Sequence, residues 1–172
     1  MAKLSREVEK VFSGIRRDIR KAEVSATNKA AVSGVAKTVQ HIRSDYNIKS
    51  SEMKKDLKHY KASLQNIIYK IRIKHKAKAL SKFRARQNKK GVAASIKKGK
   101  RKTYLGTFMA TMRSGHIGVY KRKGKQRLPI KELYGPSTME LFSSEESKKV
   151  LEKSFFEAFK KRFLEEKRRY FG

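Results

Sequence analysis

The feature that most restricts this chain is a gap. No acidic residue occurs between Asp56 and Glu132, and the 75 residues in that interval include 24 Lys or Arg. Cations at this density repel one another, so an element that carries them can bury one face at most. Its other face must meet solvent or a counter-ion. Of the 46 basic and 15 acidic residues in 172, residues 1–44 hold ten and four, residues 45–131 hold 27 and three, and residues 132–172 hold nine and eight. The net charge of +31 is therefore +24 in the middle, +6 before it and +1 after it. Nucleic acid, an anionic membrane or an acidic protein can each supply counter-ions, and charge alone does not choose among them.

The chain is not a polyelectrolyte tail, because nine Phe, seven Tyr and 38% hydrophobic residues suffice for a modest core. The expected organisation is a single α+β domain, residues 1–172. It would comprise a helical segment over 1–44, a basic antiparallel β region with a short helix over 45–135, and a helical segment over 136–172. The absence of Cys excludes disulfides and thiolate metal sites. No run of 18 apolar residues occurs, and the opening MAKLSREVEKVF lacks an apolar core. Neither a transmembrane helix nor a secretory signal is expected.

Leu4, Val8, Val11, Ile15, Ile19, Ala22, Ala26 and Ala30 recur at three- and four-residue steps, and Ala31, Val35, Val39 and Ile42 continue the stripe. This predicts one long helix, or two meeting near Gly14, with small residues from Ala22 to Ala36 able to pack close to another backbone. Asp45-Tyr46-Asn47 reads as a turn. A short helix follows, with Ser50 or Ser51 as N-cap and Met53 and Leu57 on one face. Tyr69, Ile71 and Ile73 alternate with Lys70, Arg72 and Lys74, the pattern of a half-buried strand with a basic outer face. Residues 75–90 show no period and read as a loop. Further strands are expected at 92–96, 105–112 and 116–122, with turns at 97–102, 114–115 and 123–125. Leu128 to Leu133 is extended, because Pro129 disfavours helix at Leu128. Tyr134-Gly135-Pro136 reads as a break, with Pro136 opening a short helix through Phe142. The last helix takes Ser143 and Glu146 as its capping box. Its Leu151, Phe155, Phe159 and Phe163 step by four, a stripe expected to pack on the sheet, with a subunit interface and a membrane face as alternatives.

Little here points to catalysis. His41, His59, His75 and His116 are scattered without carboxylates at ligand spacing, so local hydrogen bonding or solvent exposure is the expected role. Gly124-Lys125 fails as a phosphate loop, because Gly118 is one residue too far upstream and Gln126 stands where Ser or Thr is needed. No cofactor, no metal and no enzymatic activity are expected. The candidate contact residues are two runs of cations at expected turns. One is Lys97, Lys98, Lys100, Arg101 and Lys102; the other is Lys121, Arg122, Lys123, Lys125 and Arg127. Two hairpin tips on the same side of a sheet would present all ten together. Such cations hold phosphates without reading sequence.

The stretch from Thr107 through Met112, Ser114-Gly115-His116 and Gly118-Val119 to Arg122, followed by Arg127-Leu-Pro-Ile-Lys-Glu-Leu-Tyr-Gly-Pro-Ser137, resembles the signature of the minor tail protein Z family of tailed phages. Ala26-Thr-Asn-Lys-Ala-Ala31 resembles that family's Ala/Asn-rich helix, and Tyr46-Asn-Ile-Lys49 its turn before a short helix. The resemblance runs from about residue 20 to residue 142 and leaves the Phe stripe without a family role. It implies a structural virion protein of tail completion and head–tail joining, with no catalytic residues. The implied location is the tail or neck of the particle, and the host cytoplasm during assembly. The expected partners are further copies in a ring, six from tail symmetry, other tail and head–tail connector proteins, and genomic DNA, but no membrane. The alternative is a free, sequence-nonspecific nucleic-acid-binding protein of ribosomal or chromatin type. So many like charges also lead to the expectation that residues 75–103 order only on assembly.

Overall fold

The apolar stripe of the first segment folds as one uninterrupted helix, α1 (Ala2–Asp45), and Gly14 does not divide it. The structure is a computed structural model describing residues 2–171, with side chains described for 7–170, so Leu4 lies outside the described side chains. The other helices are α2 (Ser50–Lys54), α3 (Thr138–Ser143) and α4 (Glu145–Phe171). The strands are β1 (Leu57–Tyr60), β2 (Lys70–Ile73), β3 (Ala77–Ala79), β4 (Arg86–Asn88), β5 (Gly91–Ala94), β6 (Lys102–Leu105), β7 (Thr107–Thr111), β8 (Ile117–Arg122) and β9 (Ile130–Ser137). The class is α+β, as expected. Two compact units are distinguished: residues 1–37, 59–72 and 149–172 form one, and residues 38–58 and 73–148 the other.

In the first unit the small residues of α1 do what their size allows. Ala22, Ala26 and Ala30 are buried, and a side chain on Gly34 would lie 3.3 Å from Leu151 Cδ1 and 3.4 Å from its carbonyl oxygen in α4. Asn28 fixes the neighbouring segment by imitating a strand: its Nδ2 donates to the Ala62 carbonyl at 3.1 Å, and its Oδ1 accepts from the Ala62 N–H at 2.9 Å. Lys29 and Ser25 both donate to the Glu166 carboxylate, which is buried. The Phe stripe of α4 is only half-buried. Phe155, Phe159 and Phe163 stack along their own helix with centroids 6.0 and 5.7 Å apart, and Phe156 is exposed. β2 alternates as expected, with Lys70 and Arg72 exposed and Ile71 and Ile73 half-buried.

The second unit holds two antiparallel sheets, ordered β3-β9-β8-β7 and β4-β5-β6. Several elements differ from the sequence reading. Residues 75–90 are not a loop: they contain β3, a turn of 3-10 helix at Leu80–Lys82, and β4. Leu80 and Phe83 there are fully buried. Three-residue strands are too short to show a period, and β3 finds its partner β9 more than fifty residues later. Tyr134-Gly135-Pro136 is not a break but the second half of β9. Lys78 pairs with Gly135 and Ala77 with Ser137, so Pro136 is the extra residue of a bulge, where no ladder N–H is required. Gly135 admits the Phe83 ring, which would lie 2.5–3.1 Å from any added Cβ. Ser137, not Pro136, starts α3, and the capping box is Ser137 with Glu140. Ser143 ends α3, and Ser144 accepts the Ser147 N–H at the start of α4. Lys49 takes the N-cap position of α2 in place of Ser50 or Ser51, and Leu57 belongs to β1.

Candidate functional site

Both cationic runs form the tips of antiparallel hairpins. The first connects β5 to β6, with Lys102 already the first residue of β6. The second connects β8 to β9, with Lys121 and Arg122 as the last residues of β8. All ten side chains are exposed, and among the described residues none is ion-paired. The acids bordering the gap are engaged elsewhere: Asp56 with Lys78, Glu52 with Lys55 and Lys82, and Glu132 with His116. The tips do not lie on one sheet as anticipated. The segment expected to be a single strand at 105–112 is interrupted at Gly106, so that β6 joins β5 in one sheet and β7 joins β8 in the other.

The first tip is held by its backbone and leaves its charges unmatched. Tyr46 and Lys97 form an isolated β-bridge, the Lys98 N–H donates to the Asp45 carbonyl at 2.7 Å, and the Ser95 hydroxyl reaches the Lys97 carbonyl at 2.8 Å. The Lys97 ammonium lies 5.5 Å from the Tyr46 ring centroid and the Lys102 ammonium 5.5 Å from that of Tyr104. At the second tip the Lys123 N–H donates to the Pro129 carbonyl, and Arg122 lies over Phe108 at 5.8 Å. These cation–π contacts orient the side chains without neutralising them.

Four further cations, which the sequence did not single out, gather with Lys98 of the first tip. Arg43 at the end of α1, Lys49, Lys82, Arg84 and Lys98 border one cleft of about 450 Å³, with Tyr46 in its wall. They come from separated stretches of chain, so no single local run marks the group. The sequence touched this place only at Lys98, through the first cationic run, and at the Tyr46–Lys49 segment, noted above for its resemblance.

The residues of the 107–137 signature form a structural network. His116 Nε2 and Glu132 Oε1 are 2.6 Å apart, and the Tyr134 hydroxyl donates to Glu132 Oε2 at 2.7 Å. That bond to Glu132, together with burial, raises the Tyr134 pKa; burial and then the Glu132 charge raise that of Tyr120. A Cβ on Gly118 would stand 2.6–2.7 Å from the Tyr120 hydroxyl and Glu132 Oε1. His59 bonds to Tyr69 at 2.9 Å, so His59 and His116 are engaged in local hydrogen bonds. Among the described residues no three His, Asp or Glu side chains gather where a metal could be held.

The sequence profile of the family described as prophage minor tail protein Z (GPZ) matches residues 5–171. The chain belongs to that family. Membership carries a structural role in the phage tail, hence a place in the virion. The match also extends past Phe142, so α4 with its Phe stripe is part of the family's domain and not an appendage. Within this minor tail protein the Ala26–Ala31 motif has a physical role: Ala26 is buried in the helix face, Asn28 clamps Ala62 and Lys29 meets Glu166. No curated protein and no solved structure matches the chain. No helix among the described residues is long and apolar enough to cross a membrane.

Proposed function

We propose that this minor tail protein acts in tail completion at the head-proximal neck, joining head to tail as one of several copies around the tail axis. Its basic surfaces face genomic DNA or an acidic neighbouring ring. The carrying observation is the pair of hairpin tips, whose ten cations are exposed and have no acidic partner among the described residues. An isolated subunit bears that repulsion; apposition to a polyanion relieves it. Support for several copies comes from α1, where Val8, Val11, Phe12, Ile15 and Ile19 are all exposed. A helical apolar stripe of this length is suited to packing against a neighbouring subunit. The mechanism is assembly: helices make the protein contacts, and the tips meet the anionic partner.

The test is the location of the chain in purified particles, by mass spectrometry and labelling in electron micrographs. The expected result is a few copies per particle at the head-proximal end of the tail. A chain found only in the host cytoplasm and never in particles would overturn the proposal and favour a free nucleic-acid-binding protein. Salt titration separates the two readings further. A monomer making six to ten phosphate contacts loses about 10³–10⁵ in affinity for duplex DNA between 50 and 200 mM salt. A subunit that binds only when assembled shows weak binding as a monomer throughout.

A further inference from the structure

We infer that the cleft bordered by Arg43, Lys49, Lys82, Arg84 and Lys98 is an anion site that seats phosphates of a nucleic-acid strand. This deepens the proposed tail role and rests on it only for the source of the nucleic acid. All five cations are exposed, and the cavity is about 450 Å³. That is room for one nucleotide unit or a length of one strand's backbone.

Charge accounting within the cleft leaves a definite surplus. Among the described residues, the only carboxylate on its lining is Glu52. Glu52 sits 3.3 Å from Lys55 and 3.6 Å from Lys82, so its charge is already used. Burial works against its ionised form, but the Lys55 hydrogen bond and the charges of Lys82, Lys55 and Lys78 outweigh it and leave its pKa lowered. Arg43, Lys49, Arg84 and Lys98 remain, and among the described residues none of these four is ion-paired.

The backbone at Arg84 shows what brings its side chain to the cleft. It is the only non-glycine residue among those described with a positive φ, at 48°. An arginine gains nothing by that conformation itself, and such residues persist where their surroundings over-determine them. Here the surroundings are explicit. The preceding Phe83 is fully buried, its carbonyl accepts the Ser95 N–H at 3.0 Å, and its own N–H donates to the Leu80 carbonyl at 3.1 Å. Packing thus turns the chain at Arg84 and leaves its side chain at the cleft.

Two features favour a phosphate chain over an acidic peptide. The positive surface does not end at the cleft: Arg84 also lines a smaller hollow of about 340 Å³ with Arg86 and Arg101. A trail of arginines with an aromatic ring in the wall matches a strand of evenly spaced phosphates.

The test uses the purified full chain and fluorescence anisotropy with a short labelled single strand, with and without a 5′-phosphate. Arg43→Gln/Arg84→Gln/Lys98→Gln is compared with Lys121→Gln/Lys123→Gln/Lys125→Gln, which removes the same charge from a tip. The expected result is at least about tenfold weaker binding by the cleft variant than by the tip variant, with the salt slope lowered by about two. Equal losses in both would overturn the assignment, because they would mean a diffuse field. Tighter binding of poly-glutamate of equal charge, abolished by the cleft variant, would overturn it in favour of an acidic protein. A change on removing the 5′-phosphate places a strand end in the cleft; no change places internal backbone there, and both support the site. If Arg84→Gln perturbs folding, Arg43→Gln/Lys49→Gln/Lys98→Gln takes its place. Failure here leaves the tail role standing, since that role is judged by location in particles.

Discussion

The Asp56 carboxylate holds the Lys78 ammonium at 2.7 Å, with the two side chains only 10% and 12% exposed. Asp56 is the last acid before the gap, and Lys78 lies inside it. The same carboxylate accepts the Thr138 hydroxyl at 2.5 Å, and the Asp56 carbonyl accepts the Lys74 N–H at 2.9 Å. Lys78 completes the set by donating to the Glu52 carbonyl at 2.8 Å. One buried ion pair therefore ties the α2–β1 junction to β3 and to the first turn of α3.

Breaking that pair from one side should be costly. Asp56→Asn leaves a buried ammonium without its counter-charge, and a loss of about 3–5 kcal/mol is expected. Lys78→Met should also destabilise, by stranding the carboxylate. The double variant should lose much less than the sum, because the penalty belongs to the unpaired partner. Urea denaturation of the four proteins measures this, and additive losses would refute it.

Gly135→Ala should destabilise the second unit by about 1–3 kcal/mol, since the added methyl meets the buried Phe83 ring. Phe83→Leu introduced into that variant should restore part of the loss, although Phe83→Leu alone is harmful. Thermal unfolding of the single and double variants decides it; no recovery would mean that the strain lies elsewhere.

What could be read from the sequence and what could not divides along physical lines. Long periodic elements were legible: α1 from its stripe, α4 from Leu151, Phe155, Phe159 and Phe163, and the hairpin turns at Gly115 and Lys123–Lys125. The ten tip cations were legible because they are contiguous. β3 and β4 were not, because three residues carry no period and β3 is stabilised by β9, far along the chain. Leu80 and Phe83 were hidden among lysines and arginines, and the Phe83 ring needs the space left at Gly135, whose neighbour Pro136 read locally as a stop. The cleft was invisible for the same reason. Arg43, Lys49, Arg84 and Lys98 converge only once those unseen strands have formed.

Acid should loosen the helical unit through Glu166. Hydrogen bonds from Lys29 and then Ser25 lower its pKa, with burial opposing them. A lowered folded-state pKa contributes stability that is present in full above the unfolded value and is lost as pH falls through the folded value. Glu166→Gln should therefore be less stable than the parent chain at neutral pH. The difference should narrow as pH falls below the ordinary carboxylate value of 4.5. Thermal melts of helical circular dichroism along that range check the sign; a gap that widens in acid would contradict it.

Against the expectation that residues 75–103 wait for a partner before ordering, the burial pattern argues for a division within that stretch. Leu80, Phe83 and Val92 are fully buried, and Ala93 and Ala94 nearly so. β5 is the middle strand of its sheet, and the Val92 N–H also donates to the Thr107 hydroxyl at 3.0 Å. These are the attributes of slowly exchanging structure: apolar burial and backbone bonds away from water. Five of the stretch's cations sit instead at 97–102, where every side chain is exposed. Their repulsion is carried by the tip and not by the strands behind it. Hydrogen exchange on the isolated protein should show strong protection at Val92–Ala94 and fast exchange at Gly99–Arg101. Adding a short nucleic-acid strand should slow the tip and leave β5 unchanged. Uniformly fast exchange across 75–103 in the free protein, collapsing to protection only with a partner, would restore the assembly-coupled picture and sink this one.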